Sequence, residues 1–369
     1  MGKTFAAVAV LIGTIIGAGI LGIPFVVMKA GFGIGVLNMI LVTAILLVIY
    51  LYLGEIGLRT RANHHLSGYA ELYLGKKGKI AMFIAFTFSI YSGLIAYLIG
   101  EGESISFMVY GTTSYALEFG IAFWLLLSAI AYFGLKALKE GEEVGMMFIL
   151  IMIISIVLLY WNRIDPANLT YNNTSFFYLP FGVIMFAFLG FAAIPEVERI
   201  LKTDKHLTKK AIWITMISVL IIYIVFAAVV VGSQGSNTPE LATIALGKPF
   251  ILLGIFTMFT SYLALTTALV DTLRFDFRKS KTKAWLYTIF IPLILYLILY
   301  QIGKASFIKV LGIGGVVSGF LVGALVLLMV KNAKKRGNRK PEYSVPYSKI
   351  LTWLIILILA VGTVLEIFY

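Results

Sequence analysis

Long apolar stretches that alternate with short polar connections make up almost the whole chain. A helix needs about 20 mostly apolar residues to cross a bilayer, and we count eleven stretches of that kind. They lie at about 4–28, 34–56, 80–100, 119–136, 144–161, 177–198, 211–232, 249–272, 284–300, 307–330 and 350–368. The connections are too short for a soluble domain, so we expect residues 1–369 to form one all-α, polytopic transmembrane domain in contact with the lipid bilayer.

The first apolar stretch carries four glycines and a proline within residues 13–24, which read Gly-Thr-Ile-Ile-Gly-Ala-Gly-Ile-Leu-Gly-Ile-Pro. Glycine and proline are poor formers of a continuous helix, so we predict that this span breaks inside the membrane. A close helix contact through Gly13 and Gly17 is the alternative, but it accounts for only two of the four glycines. Hydrocarbon cannot satisfy the backbone groups freed in a break, which predicts that a polar ligand binds there.

The sixth stretch, 177–198, is also interrupted by glycine and proline. Its residues 186–196 read Phe-Ala-Phe-Leu-Gly-Phe-Ala-Ala-Ile-Pro-Glu. Because five spans separate the two breaks, the two broken helices cross the membrane in opposite directions. This spacing predicts an inverted repeat of five plus five helices, at about 4–161 and 177–330, with the binding site between the halves. The span 350–368 lies outside that repeat.

The composition is typical of a membrane protein, and the distribution of its basic residues indicates the orientation. Hydrophobic residues make up 60% of the 369 residues and charged ones 13%, with a mean hydropathy of +0.99, which is too apolar for a soluble domain. With the N-terminus in the cytoplasm, 25 of the 30 Lys and Arg residues fall on the inner side. The positive-inside rule then predicts a cytoplasmic N-terminus and an extracellular C-terminus in the cell membrane. Because the net charge of +13 is explained by this orientation, we do not expect a nucleic-acid partner.

Hydroxyl residues cluster in the eighth stretch at Thr257, Thr260 and Ser261. Serine and threonine in membrane helices usually bond to their own preceding carbonyls, which is the packing alternative. An adjacent Thr-Ser pair beside a broken helix can instead supply oxygen ligands to a hard monovalent cation. We favour the cation site.

Polar residues in the third stretch are open to two interpretations. Tyr91 is deep enough to reach a substrate, and a packing role is an equal alternative. Tyr97 is typical of the interfacial aromatic belt, and Glu101 and Glu103 are expected in water at the outer mouth.

Several classes of function fit the sequence poorly. The chain has no cysteine, and its three histidines lie in predicted loops, which argues against metal clusters and thiol chemistry. The spans offer no nucleophile with a base and no paired deep carboxylates, so we do not expect an enzyme. A channel would more often repeat one pore-lining motif around an axis, so a channel or receptor is a remote alternative.

Three groups of residues carry a resemblance to a known family. Residues 13–24 resemble the first-helix signature of the amino acid–polyamine–organocation superfamily. Tyr91 with residues 96–100, and residues 260–265 with Asp271, resemble the third and eighth helices of its aromatic and hydroxy amino acid permease branch. The sixth stretch resembles the amino acid/auxin permease group, which also has eleven helices. The resemblance covers spans one to ten and implies amino acid transport by a LeuT-like fold whose helices 1 and 6 are broken.

The same resemblance implies roles for single residues. The substrate carboxylate would bind the amides of Ala18 and Gly19, and Lys3 would pair with Asp276 as an inner gate. The sodium site of related transporters corresponds to carbonyls of Gly13, Ile16 and Thr257 and to hydroxyls of Thr260 and Ser261. The candidate substrate-binding residues are Thr14, Gly17, Ala18, Gly19, Tyr91, Phe186, Phe188 and Gly190.

The coupling ion is the least constrained part of this interpretation. Proton-coupled relatives replace the sodium by a lysine on helix 5, and Ile149 stands at that position here. This favours sodium, with a proton as the alternative, because bacterial aromatic permeases that keep the Thr-Ser pair are proton-coupled. The carboxylates to consider for a proton are Glu55, Glu196, Glu198 and Asp271. The sequence thus predicts a cation-coupled symporter of a neutral L-amino acid that works by alternating access. Aromatic amino acids are among the candidates, no cofactor besides sodium is expected, and the oligomeric state is open.

Overall fold

The computed structural model describes residues 2–61, 64–133 and 150–368. Helices joined by turns and loops make up these residues. An isolated β-bridge between Gly31 and Asn172 belongs to no strand. The all-α prediction is therefore confirmed for the described part of the chain. The α-helices are α1 (Lys3–Ile15), α2 (Ile23–Ala30), α3 (Phe32–Leu58), α4 (Leu66–Tyr110), α5 (Ala116–Phe133), α6 (Leu150–Arg163), α7 (Ala167–Thr170), α8 (Leu179–Ala187), α9 (Ile194–Ile200), α10 (Thr208–Gln234), α11 (Ala242–Ala245), α12 (Lys248–Phe275), α13 (Lys281–Gln301), α14 (Phe307–Arg336) and α15 (Lys349–Phe368).

Most of these helices can cross a bilayer. Within the described ranges, nine helical segments are long and apolar enough to span, or ten when α1 and the bent segment Ala18–Ala30 count as one. The fifth predicted span, 144–161, begins outside the described residues, and its described part is the shorter helix α6. Eleven spans and the five-plus-five repeat therefore stay predictions.

The first span is interrupted in the middle of its glycine-rich stretch. α1 ends at Ile15, and Gly17 has extended backbone angles (φ −102°, ψ −160°). A 3-10 helix over Ala18–Gly22 then leads into α2, whose first turn contains Pro24. Proline fits this position because a residue of the first turn needs no N–H partner. The two halves are bent by 51°, which confirms the predicted break in this span.

The sixth span is interrupted in a similar way. α8 ends at Ala187, a short 3-10 helix covers Phe191–Ala193, and α9 begins at Ile194 with Pro195 in its first turn. Gly190, just before the 3-10 helix, has backbone angles outside the helical region (φ −156°, ψ 25°). The prediction of a break is confirmed here too.

Close packing around α14 holds the described bundle together. α14 contacts α3, α4, α8 and α15. A Cβ atom on Gly314 would lie 2.5 Å from the Cβ of Ser92 in α4, and one on Gly315 would overlap the carbonyl of Gly182 in α8. Small residues at these contacts allow the helix backbones to approach each other directly.

The last helix belongs to this packed body although it lies outside the predicted repeat. Its Glu366 is 7% exposed, and the carboxyl fits a notch where a Cβ on Gly312 or Gly182 would collide with it. The hydroxyl of Thr363 donates to the carbonyl of Val316 at 3.1 Å. α15 therefore packs onto both α8 and α14.

A buried ion-pair network closes one end of the bundle. The carboxylate of Glu55 at the end of α3 is fully buried and lies 2.8 Å from Arg59 Nε and 2.6 Å from Lys334 Nζ. It also accepts hydrogen bonds from the hydroxyl of Ser344 at 2.9 Å and the N–H of Val345 at 2.8 Å. The network ties α3 to α14 and to the segment that precedes α15. The end of the molecule that carries Lys3, Arg59 and Lys334 is called the basic end below.

We expect Glu55→Ala to destabilise the protein strongly. Removing one partner of a buried ion pair costs about 3–5 kcal/mol, because the two cations keep their burial and lose their carboxylate. The purified protein in detergent should melt at a lower temperature. The matched control is Glu196→Ala, whose pair with Arg199 is exposed and contributes about 0–1 kcal/mol. Equal melting shifts for both variants would contradict a structural role for the network.

Candidate substrate and cation site

The two interrupted spans meet at their breaks. The Cβ position of Gly19 lies 3.0 Å from the Cα of Ala187, at the end of α8. From the other side, the Cβ position of Gly190 lies 3.4 Å from the backbone nitrogen of Ile15, at the end of α1. Each glycine lets one broken span approach the helix end of the other, and their freed backbone groups come together.

The break in the first span offers hydrogen-bond donors. Ala18 and Gly19 begin the helical segment that leads into α2, and the first N–H groups of a helix have no partner inside it. The N–H of Gly17, by contrast, donates to the carbonyl of Ile15 at 2.9 Å. The amides of Ala18 and Gly19 are therefore the donors suited to a carboxylate.

Two tyrosines occupy the carbonyls at the break in the sixth span. The hydroxyl of Tyr223 in α10 donates to the carbonyl of Ala187 at 2.7 Å, and the hydroxyl of Tyr50 in α3 donates to the carbonyl of Phe188 at 2.9 Å. Both tyrosines are fully buried, and the ring of Phe188 packs edge-on against Tyr223. The sequence analysis missed both, although a tyrosine deep in an otherwise aliphatic span is a signal that could have found them.

Acceptors remain at the end of α1. The last carbonyls of a helix have no partner inside it. Among the described residues, the carbonyl of Ile12 accepts from the N–H of Ile16 at 2.7 Å, and that of Ile15 accepts from the N–H of Gly17 and from Tyr223 at 3.4 Å. Ile16 is 1% exposed and Gly13 is half-buried. Their carbonyls stay free to bind a cation or an ammonium group.

A pair of hydroxyls faces the break from the opposite side. The Cβ position of Gly17 lies 3.6 Å from the hydroxyl oxygen of Tyr97 in α4 and 3.7 Å from Ser261 Oγ in α12. The hydroxyls of Tyr97 and Ser261 therefore face the same point of the first break. Tyr97 is only 4% exposed, so the prediction that it lies in the interfacial belt is wrong. Its ring is held inward because α4 continues well past it, to Tyr110.

The threonine hydroxyls of α12 bond to preceding carbonyls of their own helix, as the packing alternative predicts. Thr257 Oγ1 donates to the carbonyl of Leu253 at 2.9 Å, and Thr260 Oγ1 donates to the carbonyl of Thr257 at 3.0 Å. A hydroxyl that donates one hydrogen bond keeps lone pairs for a cation. Ser261 is the member of the Thr-Ser pair that is shown directly beside the break.

Two predicted substrate residues point away from the breaks. The hydroxyl of Tyr91 donates to the carbonyl of Tyr287 in α13 at 2.9 Å, which favours the packing alternative for Tyr91. The hydroxyl of Thr14 donates to the carbonyl of Val10 at 2.9 Å on an exposed face of α1. Neither side chain contacts the freed amides in this conformation.

Phe186 lies where the predicted substrate pocket was expected. Its ring approaches the Cβ positions of Gly19, Gly93 and Gly314 at 3.4 Å each, so it touches the first break, α4 and α14. It is 9% exposed. An aromatic wall therefore stands beside the free amides.

A cavity of about 260 Å³ lies at the basic end between α4, α12 and Ala192 of the second break. Its polar lining includes His65, Ser67, Asp271 and Asp276. On the other side of the first break the helices are in contact, since a Cβ on Gly22 would lie 2.9 Å from Ile308 and 3.4 Å from Phe307.

The predicted gate pair is absent from this conformation. Lys3 Nζ lies 2.8 Å from the carboxylate of Asp204, while Asp276 accepts a hydrogen bond from the hydroxyl of Ser67. The Lys3 ammonium and the hydroxyl of Thr203 hold the pKa of Asp204 below its usual value. α1 thus pairs with the segment after α9 in this conformation.

Glu101 contradicts its predicted exposure. It is fully buried, and both carboxylate oxygens lack a hydrogen-bond partner among the described residues. Glu103, two residues on, is only partly exposed. The prediction of solvated carboxylates at the outer mouth failed because α4 remains packed inside the bundle at this level.

Comparisons with known proteins extend over nearly the whole chain. A model of the tryptophan/tyrosine permease family matches residues 1–249 and 240–367. Among curated proteins, "Glutamine transporter 2" of Aliivibrio fischeri (strain ATCC 700601 / ES114) is 25% identical over 355 residues, which is 90% of either chain. The family match includes the two broken spans and the hydroxyl residues of α12.

Gly17→Ala should impair substrate binding without unfolding the protein. The added methyl would meet its neighbours at ordinary contact distances of 3.6 and 3.7 Å, but it would stand between the hydroxyl pair and the break. We expect the apparent substrate affinity in uptake assays to fall at least about tenfold, or ~1.4 kcal/mol, with an unchanged melting temperature.

Gly19→Ala serves as the structural comparison for that variant. Its methyl would lie 3.0 Å from the Cα and 3.2 Å from the Cβ of Ala187, so α8 must shift and the melting temperature should drop. Native affinity in Gly17→Ala would argue against substrate binding at the break.

Proposed function

The chain belongs to the tryptophan/tyrosine permease family, and on that premise we propose that it is a secondary active symporter of a neutral L-amino acid, coupled to sodium. The family and the similar glutamine transporter support amino acid transport. The expectation that the protein is a transporter and not an enzyme is confirmed. Tryptophan, tyrosine and glutamine have neutral side chains in common, and the ring of Phe186 beside the breaks suits an apolar or aromatic one.

The meeting of the two breaks is the observation that carries this proposal. A zwitterion needs donors for its carboxylate and acceptors for its ammonium group within a few ångströms. The free amides of Ala18 and Gly19 suit the carboxylate. The ammonium group would bind acceptors at the end of α1 that the sodium does not use, because Tyr50 and Tyr223 already occupy the carbonyls of Ala187 and Phe188.

Sodium is proposed for the space between the end of α1 and the hydroxyls of α12. Oxygen ligands of both kinds are what a hard cation prefers, and Ser261 lies beside Gly17. The proposed ligands are the carbonyls of Gly13, Ile16 and Thr257 and the hydroxyls of Thr260 and Ser261. A cation there would connect the broken first span with α12, so its binding and that of the substrate should favour each other.

Alternating access is proposed from the shape of the bundle. The cavity at the basic end and the contact between Gly22 and Phe307 on the other side of the break support this proposal. In the second state α1 would swing toward α12, close the cavity and bring Lys3 near Asp276. The basic residues concentrated at this end support a cytoplasmic position for it.

The decisive experiment is uptake by proteoliposomes, with tryptophan, tyrosine, glutamine, glutamate and lysine offered in turn. A neutral amino acid should accumulate under an inward sodium gradient at fixed ionic strength. Thr260→Ala/Ser261→Ala removes two proposed ligands and should abolish sodium-driven accumulation before it abolishes substrate binding.

The matched control for this variant is Thr267→Ala. Thr267 lies in the same helix and its hydroxyl makes the same kind of backbone bond, to the carbonyl of Leu263 at 2.8 Å, but it is exposed. If accumulation by the native protein does not depend on sodium, the sodium assignment is refuted, and the proposal of amino acid transport still stands.

Reporters fused at two places test the proposed orientation. One placed after Tyr369 should be extracellular, because the last connection, with Asn338, would be cytoplasmic and α15 crosses the membrane once more. A reporter inserted at Asn338 should be cytoplasmic. Detection of both reporters on the same side would remove α15 from the set of spanning helices.

A further inference from the structure

An open basic pocket lies at the basic end of the bundle, where α3 and α14 finish. It has a volume of about 570 Å³, and the charged residues of its lining are Arg59, Arg339 and Lys340. α3 ends at Leu58 and α14 at Arg336, so both spanning helices stop directly before residues of the lining. The pocket therefore lies at the level expected for the headgroups of the surrounding lipids.

The connection between α14 and α15, which forms most of the pocket, is fixed to the end of α3. The N–H of Asn338 donates to the carbonyl of Arg59 at 3.1 Å, and Oδ1 of Asn338 accepts from the N–H of Arg61 at 2.9 Å. The guanidinium of Arg339 donates to the carbonyl of Leu58 at 2.7 Å. A solvated basic loop has no fixed arrangement of its cations, whereas these hydrogen bonds hold the connection in one shape.

The buried network beside the pocket has more cations than carboxylates. Arg59 and Lys334 share the single carboxylate of Glu55, so the network keeps one positive charge in excess. The guanidinium of Arg59 uses Nε for Glu55 and Nη2 for the hydroxyl of Ser344 at 3.2 Å. Its Nη1 has no hydrogen-bond partner among the residues that the structure describes. Arg59 therefore has a donor left for a group bound in the pocket.

Lys340 adds a second unbalanced charge. Its side chain is exposed and forms no ion pair or hydrogen bond within the described ranges. The preceding Arg339 is neutralised by Glu342, to which it donates two hydrogen bonds. Lys205 acts on Glu342, and Glu198 acts on Arg339, so these two neighbours add one charge of each sign. One excess charge from the network and one from Lys340 leave the pocket with two positive charges that no carboxylate compensates.

A phosphate group suits this pocket in both charge and hydrogen bonding. It carries one or two negative charges, and its oxygens are strong hydrogen-bond acceptors. Nη1 of Arg59, the ammonium group of Lys340 and the backbone N–H of Lys340 are donors without a partner in the described part of the chain. Basic pockets between spanning helices on the cytoplasmic side are known to hold phospholipid headgroups.

We propose that this pocket binds a phosphate group, supplied by the headgroup of an anionic phospholipid or by a soluble phosphate. Arg59 and Lys340 would donate to the phosphate oxygens. Because Arg59 follows α3 and Lys340 belongs to the connection between α14 and α15, the bound phosphate would fasten that connection to α3. None of the lining residues belongs to either break, so the proposal does not depend on the proposed transport function.

The test measures the melting temperature of the purified full-length protein in a neutral detergent at fixed pH and ionic strength. Phosphatidylglycerol, phosphatidylcholine and inorganic phosphate are added separately, since a ligand that binds only the folded state raises the melting temperature. We expect phosphatidylglycerol, whose headgroup is anionic, to raise it. Phosphatidylcholine carries the same phosphodiester beside a cation and should raise it much less. A rise with inorganic phosphate would identify a soluble phosphate as the source.

Lys340→Glu reverses the uncompensated charge and should need at least about tenfold more of the effective probe for the same rise, measured against its own melting temperature without the probe. Lys340→Ala removes the charge only, and it takes the place of Lys340→Glu if that variant cannot be purified. The matched control is Lys279→Glu, because Lys279 is exposed, follows α12 at the same end and lies outside the pocket. It changes the net charge equally and should respond like the native protein.

Three results would overturn the proposal. Equal responses of Lys340→Glu and Lys279→Glu would show that anions are attracted to the whole basic end and not to this pocket. An equal rise with phosphatidylglycerol and phosphatidylcholine would show a general effect of lipid. The absence of a rise with any of the three probes would show that no phosphate group binds.

Discussion

The need to satisfy backbone hydrogen bonds away from water governs this structure. Two spans give up helical hydrogen bonds where the other helices keep theirs, and each unsatisfied group in hydrocarbon costs several kcal/mol. The protein resolves this cost differently at its two breaks. Tyrosine hydroxyls from α3 and α10 satisfy the carbonyls of Ala187 and Phe188. Among the described residues, no side-chain hydrogen bond reaches the amides of Ala18 and Gly19 or the carbonyls of Gly13 and Ile16. The first break therefore keeps groups that a ligand could bind, whereas the second is tied to α3 and α10.

This difference separates the parts of the bundle that can move from those that cannot. The second break is anchored by Tyr50 and Tyr223 and, through α8, by the glycine contacts of α14 and by Glu366 of α15. α1 packs against α9 and α10, and its ion pair between Lys3 and Asp204 is partly exposed and contributes little to stability. If access changes as proposed, α8 and α14 would form the fixed frame.

A feature could be predicted from the sequence when the residues that produce it lie close together in the chain. The breaks were predicted correctly, because Gly17, Gly190 and the two prolines act on their own backbone. The Thr-Ser pair was singled out for the same local reason, and its role in binding a cation stays a proposal. Tyr97 and Glu101 were assigned to the membrane surface because α4 was predicted to end near residue 100, whereas it runs to Tyr110. The partner of Lys3 could not be predicted, since that choice depends on where a segment 200 residues away is placed by the fold.

α4 connects these observations into one physical argument. One of its faces carries Tyr97 against the proposed cation site, and one turn further out it carries the partnerless carboxyl of Glu101. A cation bound at Ser261 would connect the end of α1 with α12, while the apolar contact of Phe307 with Gly22 connects the outer half of the same broken span with α14. The first span would thus be held at two levels, by an ion at its break and by apolar packing beyond it.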